Sequence, residues 1–481
     1  MTARFSFFSN PFRVLLLLFF LAMVVRSIPL QFEGSFDPDS HFHARLSNEV
    51  ARTLEIPVWD SLSLQGRVYS YPPVLHLLTG LLSAGSGVDS LIVLKFLGIF
   101  IGGLMVFSAF LLGRSLSGSV SIGAWAGFFS SLSVMAIWRT SGFTRPDGLA
   151  LMLIPFLLYL WLTRRSLLAF ILSMGMVLLH PLSAVIYALL LGSYFLLSLV
   201  EKKRVSFWIP FALGGMLLTF FLWVSSIGLP LSNYASHVSL EASELVKFWL
   251  LGLILFFPLS WAFNFVGAWR ARLPSVIVLW VILTLGIASL GMRLSIYMIP
   301  FLGILGAYGV DYIIREFRSH RVLLPSLAFF VIALGFVTVY LTMSGVDPYY
   351  SLSERATIDH LSAEAVPHSS VLTIWDQGHV LAYYTGLPMV VDGYFEFAHE
   401  LDERNAAAKD PLQSGRCSVF TDSMDRFDAR YYYISRGELL AEYTRFGLLE
   451  LEPCPPMRIL FSSDDARIYE RVPGIILPEL D

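Results

Sequence analysis

Charge is scarce in this 481-residue chain: Asp, Glu, Lys and Arg make up 14% of it, while 56% is hydrophobic and 15% aromatic. With a mean hydropathy of +0.67, so much apolar surface cannot be buried in one water-soluble core, which excludes a soluble enzyme. Neither a basic stripe nor a polar low-complexity tract of useful length occurs, so no nucleic-acid partner and no disordered scaffold is expected. Cysteine is nearly absent, and Cys417 and Cys454 permit one disulfide or two free thiols. What remains is an integral membrane protein with an uneven charge distribution. Residues 345–481 hold 11 basic and 23 acidic residues, whereas residues 1–344 hold 22 and 13.

A spanning helix needs about 20 mostly apolar residues, because roughly 30 Å of hydrocarbon is crossed at 1.5 Å per residue. Eleven segments qualify, near 12–30, 90–113, 117–137, 148–163, 166–179, 182–200, 206–227, 248–269, 274–292, 294–313 and 322–343. The uncharged run 166–200 is too long for one helix, and His180-Pro181 reads as the turn between two. Arg4 with Arg13, then Arg114, Arg164-Arg165, Lys202-Lys203-Arg204, Arg270 with Arg272, and Arg315, Arg318 and Arg321 fall at alternate turns. Basic residues favour the cytoplasmic side, so the N-terminus is expected there. The opposite face then receives the long first loop 27–89, the loop 138–147, the His180-Pro181 turn, the loop 228–247, the neighbourhood of Arg293 and the tail. The stretch Pro72 to Val88 is short and Gly-rich, and counting it as a span would invert every later loop; it is expected to lie at the interface. The first helix has a basic start and no small-residue cleavage site, so it reads as a retained anchor.

Ionisable groups beside apolar spans are costly and tend to mark function. The first outer loop reads Phe36-Asp37-Pro38-Asp39-Ser40-His41-Phe42-His43-Ala44-Arg45. Carboxylates at this spacing can hold a hard divalent cation through oxygen, or they can simply cap a helix. The second outer loop carries Arg139-Thr140-Ser141-Gly142 and then Arg145-Pro146-Asp147, with Asp147 at a helix start. The third offers Glu241 and Glu244. Arg293 stands alone between apolar helices, either snorkelling to a headgroup or gripping a phosphate with its planar fork of donors. The tail, 344–481, reads as an extracytoplasmic α/β domain of alternating short strands and helices. Its distinctive line is Ile374-Trp375-Asp376-Gln377-Gly378-His379, where Trp375 and Asp376 can present an aromatic wall and a carboxylate to a small hydroxyl group or form an ordinary capped turn.

In this order and on one face, these loops resemble the catalytic subunit of the oligosaccharyltransferases, the C-type glycosyltransferases that N-glycosylate proteins, and the archaeal branch above all. The resembling residues are Asp39 through Arg45 with His43, then Arg139, Thr140, Gly142 and Asp147, then Arg293, Tyr297 and Pro300, and finally Trp375, Asp376 and Gly378. The resemblance implies a polytopic α-helical fold, here with about eleven transmembrane helices where the family has thirteen, comprising a catalytic membrane domain 1–343 and the soluble domain 344–481. It implies a Mn2+ or Mg2+ ion on Asp39 and Asp147, Glu241 as a further catalytic acid, Arg139, Arg293 and His43 on the donor phosphate, and Trp375, Asp376 and Gly378 on the acceptor. The partners it implies are a polyprenyl-linked sugar donor, an acceptor polypeptide bearing Asn-X-Ser/Thr and the lipid bilayer of a prokaryotic, archaeal-type cell membrane.

Three departures bear on this, one being that the family members have a larger tail. Arg145 stands where the family has an acid, which removes a ligand and adds repulsion to a metal, and Ile374 replaces a Trp. Asp37 is a candidate substitute ligand, and His180 a further ionisable group on the same face. A second reading follows from Arg145: a C-type glycosyltransferase that takes a sugar from a polyprenyl monophosphate, without metal and with Asp39 as base, and transfers it to another acceptor. A third is a non-catalytic transport or assembly protein, which the outward clustering of acids disfavours and for which no clear internal repeat is found.

Overall fold

The computed structural model describes residues 10–31, 37–69, 71–141, 145–227, 258–271, 273–289, 292–317, 350–393, 400–414, 416–435 and 457–472, with Ala333 and Tyr340 besides. The expected helix 322–343 and Glu241 and Glu244 lie essentially outside these residues. Two compact units emerge. The first comprises Met1–Gln31, Pro72–Leu75 and Leu94–Val346, and the second comprises Phe32–Tyr71, His76–Val93 and Asp347–Asp481.

In chain order the elements begin with helix α1 (Pro11–Ser27), α2 (Asp39–Thr53), the short strands β1 (Trp59–Asp60) and β2 (Arg67–Val68), and α3 (Val74–Ser86). Helices α4 (Ser90–Ser117), α5 (Val120–Ser131), α6 (Val134–Thr140), α7 (Pro146–Leu162), α8 (Ser166–Leu179), α9 (Pro181–Val200) and α10 (Trp208–Ile227) follow. Then come α11 (Pro258–Arg270), α12 (Ser275–Ala288), a 3-10 turn (Met292–Met298) and α13 (Ile299–Glu316). Local chemistry sets several of these starts. Asn10 accepts the Phe12 N–H, Ser119 caps α5, and His180 accepts from the Ser183 N–H with Pro181 at the first helical position.

The first unit is held by helix packing through small residues. A Cβ on Gly309 would stand 2.0 Å from the Phe263 carbonyl oxygen, and one on Gly267 would stand 2.3 Å from that of Leu305, so α11 and α13 touch backbone to backbone. Val106, Phe110, Phe128, Phe129 and Val310 close an apolar core against Val14, Leu18 and Val25 of α1.

The protein is a multi-pass membrane protein, but the expectation of eleven spans is corrected. Among the described residues four helices are long and apolar enough to cross: Ser90–Ser117, Pro181–Val200, Trp208–Ser225 and Leu294–Glu316. The other apolar runs include turn residues: the run 117–137 breaks after Ser131, leaving the 12-residue α5, and the helices at 146–162, 166–179 and 275–288 have 17, 14 and 14 residues. Their length falls short of the roughly 20 residues a span requires. Pro72–Val88 contains a 13-residue helix, also shorter than a span.

The second unit contains α14 (Leu352–Glu364), β3 (Ser370–Leu372), α15 (Trp375–Thr385), α16 (Leu401–Ser414), α17 (Cys417–Arg426), β4 (Ala429–Ser435), β5 (Met457–Ser462) and β6 (Ala466–Arg471). The sheet order is β3-β4-β6-β5, with β3 parallel to β4 and the remaining pairs antiparallel. Both faces of β4 are buried, as its unbroken tyrosine run requires: Tyr431 and Tyr433 pack with Ile358, Val380 and Ile468, while Tyr432 and Ile434 pack with Ala408, Phe420 and Met424. The expected α/β tail is therefore corrected as well. Among the described residues it is mostly helical, with one small open mixed sheet, because the strands are short and the longer described segments between them are helices. Cys417 is disulfide-bonded.

Candidate functional site

The second-loop residues gather within the first unit. Arg139 ends α6 and Asp147 lies in the first turn of α7, and a guanidinium nitrogen stands 3.4 Å from the carboxylate. A Cβ on Gly148 would meet the Arg139 carbonyl at 2.8 Å, so glycine is what lets these two helix ends approach. His180 accepts or donates at 2.7 Å to the Ser183 hydroxyl, which lies 2.6 Å from the Tyr297 hydroxyl. Asp147, Arg139 and Arg145 are all within electrostatic reach of His180, and Asp147 and Arg139 within that of Tyr297. One carboxylate thus sits among two guanidinium groups and an imidazole. The backbone of Arg293 belongs to the 3-10 turn that carries Tyr297, and its side chain lies outside the described part.

A residue that sequence reasoning passed over completes this cluster. Arg26, in the last turn of α1, is fully buried; its Nε donates to Thr140 Oγ1 at 2.6 Å and one terminal nitrogen to the Ala22 carbonyl at 3.2 Å. Its other terminal nitrogen has no hydrogen-bond partner among the described residues. A Cβ on Gly102 would lie 1.9 Å from Arg26 Nε, so the guanidinium occupies space that only glycine leaves. The signal was available, since a charged residue near the end of an apolar helix is costly unless it serves a purpose.

The first-loop residues lie in the second unit. Asp37 Oδ1 accepts the Asp39 N–H at 3.2 Å, so Asp37 lies at the start of α2, while Asp39 and His43 fall four residues apart on that helix and hence on one face. His41 is surrounded by Tyr350, Tyr383 and Tyr384, at ring-centre distances of 5.8, 5.4 and 5.5 Å. His43 Nδ1 is 2.8 Å from His76 Nε2, and His76 Nδ1 meets the Tyr69 hydroxyl. Burial, aided by the nearby charge of Arg45, lowers His76 to about 3, and burial raises the Tyr69 phenol well above its ordinary value.

The tail motif lies against this helix. Trp375 opens α15, followed by buried Asp376, Gln377 and His379, and the His379 ring is 5.1 Å from that of Phe42 on α2. Gly378 is required here because a Cβ would stand 2.2 Å from the Val391 carbonyl. Burial lowers His379 to about 4 despite the opposing charge of Asp392. Beneath both helices, Arg67 donates to Asp392 through two bonds of 2.8 Å and to Asp60 at 2.8 and 3.2 Å, and Arg45 grips Asp60 at 2.6 and 2.9 Å. Burial by itself would raise both carboxyls, but the guanidinium groups, Arg45 and Arg67 at Asp60 and Arg67 at Asp392, hold them below the usual range.

The chemistry around Asp147 suits an anion better than a divalent cation. Its compensating charge is supplied by Arg139 and Arg145, which a metal would have to displace. Among the described residues no group of three or more His, Cys, Asp or Glu side chains is arranged to hold a metal.

No protein-family model matches the chain, and no curated protein matches it. Solved structures do. The chain is similar to the Archaeoglobus fulgidus oligosaccharyltransferase in complex with Zn and sulfate, at 13% identity and a TM-score of 0.69, over 91% of this chain and 70% of that one. It is similar to ArnT from Cupriavidus metallidurans bound to undecaprenyl phosphate, at 16% identity and a TM-score of 0.61, over 99% of this chain and 100% of that one. It is also similar to the arabinofuranosyltransferase AftD from Mycobacteria, at 12% identity and a TM-score of 0.54, over 95% of this chain and 40% of that one. At these identities the likeness establishes a shared fold.

Proposed function

We propose that the chain is a membrane glycosyltransferase that takes a sugar from a polyprenyl-phosphate carrier and transfers it without a metal. The observation that carries this reading is the charge around Asp147: Arg139 at 3.4 Å, with Arg145 and His180 in electrostatic reach, form a basic cluster suited to a phosphate. The full-length likeness to a structure holding undecaprenyl phosphate supports the same donor class. In the proposed reaction the acceptor attacks the anomeric carbon, the bond from that carbon to the phosphate oxygen breaks, and Asp39 takes the acceptor proton. Arg139 and Arg293 stabilise the charge that develops on the departing phosphate, as fixed cations do in a site of low dielectric, and the His180 imidazole serves beside them as a hydrogen-bonding group. Asp147 positions Arg139. Trp375 and Asp376 are assigned to the acceptor, and His43 to orienting the donor. The charge alternation of the loops supports an N-terminus on the cytoplasmic side and the acidic tail outside.

The likeness to an archaeal oligosaccharyltransferase supports a second reading, transfer to Asn of Asn-X-Ser/Thr from a pyrophosphate-linked glycan. Transfer assays on the purified protein separate the two. Polyprenyl monophosphate sugars and pyrophosphate-linked oligosaccharides are supplied with lipid and peptide acceptors, with and without chelator. The expected result is chelator-insensitive transfer from the monophosphate donor, reduced about 10²–10⁴-fold in Asp39→Asn, the range for loss of a general base. Transfer that requires an Asn peptide and stops with chelator overturns the metal-free reading.

A further inference from the structure

The second unit contains a cleft of about 810 Å3 that none of the proposed catalytic residues lines. We propose that it is a saccharide-binding subsite. One wall is the turn joining β1 and β2, with Trp59, Ser61 and Gln65, and the facing rim carries His368, Arg430 and Arg471. Trp59 is the central feature. Half of its surface is exposed (51%), although large aromatic side chains usually find cover. It is also held in place: a Cβ on Gly66 would lie 2.4 Å from three indole atoms at once, so the ring rests against the Gly66 backbone. The turn beneath it is anchored by Asp60, which Arg45 and Arg67 both grip, and by the bonds of Leu64 N–H to the Met389 carbonyl and Met389 N–H to the Leu62 carbonyl at 2.9 and 2.8 Å. A rigid, half-exposed aromatic face beside polar groups suits a ligand with one apolar and one hydrogen-bonding side, as a pyranose has.

The polar groups point to the same ligand class. Arg430 shares Glu470 with Arg458, and Arg471 pairs with Asp425 and Asp428, so three guanidinium groups meet three carboxylates, the planar forks are held by ion pairs and the charge is balanced over the group. Balanced charge does not favour phosphate or nucleic acid, while fixed forks and the Ser61 hydroxyl suit vicinal hydroxyl groups. The cleft also concentrates backbone that L-residues rarely adopt: Gln65 (φ 64), His368 (φ 65) and Asp428 (φ 46) are left-handed, as is Gly66 (φ 70). Such conformations persist where the surrounding structure enforces them, and they gather at ligand clamps.

The choice of a saccharide rests on the glycosyltransferase reading, but its test does not require any transfer. Saturation-transfer NMR on the full-length protein in detergent is run with free mannose, glucose and N-acetylglucosamine trisaccharides, with the same trisaccharides on a polyprenyl phosphate, and with an Asn-X-Thr peptide. The expected result is binding of at least one free trisaccharide, weakened at least tenfold in Trp59→Ala and less than threefold in Trp59→Phe. Ser61→Arg, at an exposed position on the cleft wall, obstructs the cleft without touching the core and is expected to abolish the signal. Equal affinity for free and carrier-linked glycan marks recognition of the sugar itself, and tighter binding of the carrier-linked form that still depends on Trp59 marks the donor glycan as its source. No binding of any free trisaccharide, binding unchanged in both Trp59→Ala and Ser61→Arg, or peptide binding lost with Trp59 overturns the proposal. Saccharide binding in a protein that transfers nothing overturns the catalytic reading and leaves the subsite standing.

Discussion

Each unit buries an arginine, and each accommodates it differently. Arg67, in the second unit, is enclosed by carboxylates, with both of its terminal nitrogens on Asp392 and further bonds to Asp60. Arg26, in the first unit, is met by a hydroxyl and a backbone carbonyl. A buried charge is ordinarily paired, since removing it from water costs several kcal/mol. The contrast teaches that burial alone does not identify a structural ion pair. Arg67 belongs to a network in which every carboxylate oxygen of Asp60 and Asp392 accepts from a guanidinium, which is what a fold-stabilising element needs. Arg26 retains, beside the Arg139-Thr140 end of α6, a donor that has no partner among the described residues, which a stability argument does not explain.

Replacing each arginine by methionine, which has similar length and no charge, breaks the comparison most directly. Arg67→Met strands Asp392 in the interior and is expected to destabilise the second unit by about 3–5 kcal/mol. Arg26→Met strands no carboxylate, because Thr140 Oγ1 still donates to the Ala136 carbonyl, and is expected to change stability by less than about 1 kcal/mol. Hydrogen exchange resolved by segment measures both, and comparable losses would mean that the two arginines do the same job.

Packing is the next point of contrast. Gly309→Ala places a methyl group against the Phe263 carbonyl in the first unit, so α11 and α13 must part, at about 1–3 kcal/mol by the usual cost of overfilling. SDS titration measures the loss. Gly386→Ala in the second unit, where a Cβ meets nothing within 4 Å but φ is +66°, tests backbone strain alone and should cost less.

The last contrast is a proton. His379 has a folded value of about 4 against about 6.5 in an unfolded chain, so between those pH values only the unfolded state binds the extra proton. Stability of the second unit is therefore level above about pH 7 and falls as pH drops from about 6.5 towards 4. His76, at about 3, extends the decline, and the depressed Asp60 and Asp392 add theirs below about 4. His379→Gln is expected to flatten part of the slope in melting temperature between pH 6.5 and 4, and an unchanged slope would remove His379 from the account.

The same comparison shows what could be read from sequence. Short motifs were visible, because Asp39 through Arg45 and Trp375 through His379 are each contiguous and each opens a helix. Their packing side by side was not visible, nor was the bond between Arg67 and Asp392, which joins residues 325 positions apart and leaves no local trace. A membrane chain was evident from hydropathy. The number of crossings was not, since an apolar run scores alike whether it crosses lipid or packs among other helices, and only geometry reveals the break after Ser131. Arg26 belongs to no loop motif: it is a single charge in the last turn of an apolar helix.

The chain of contacts from Tyr69 through His76 to His43 has a direction. When the protonated Tyr69 phenol donates to His76 Nδ1, neutral His76 carries its own hydrogen on Nε2 and presents it to His43 Nδ1. His43 is then left with its hydrogen on Nε2. One hydroxyl two rings away thereby selects which tautomer stands on the face of α2 that also carries Asp39, so the donor-or-acceptor character of that face is decided by a residue that never reaches it.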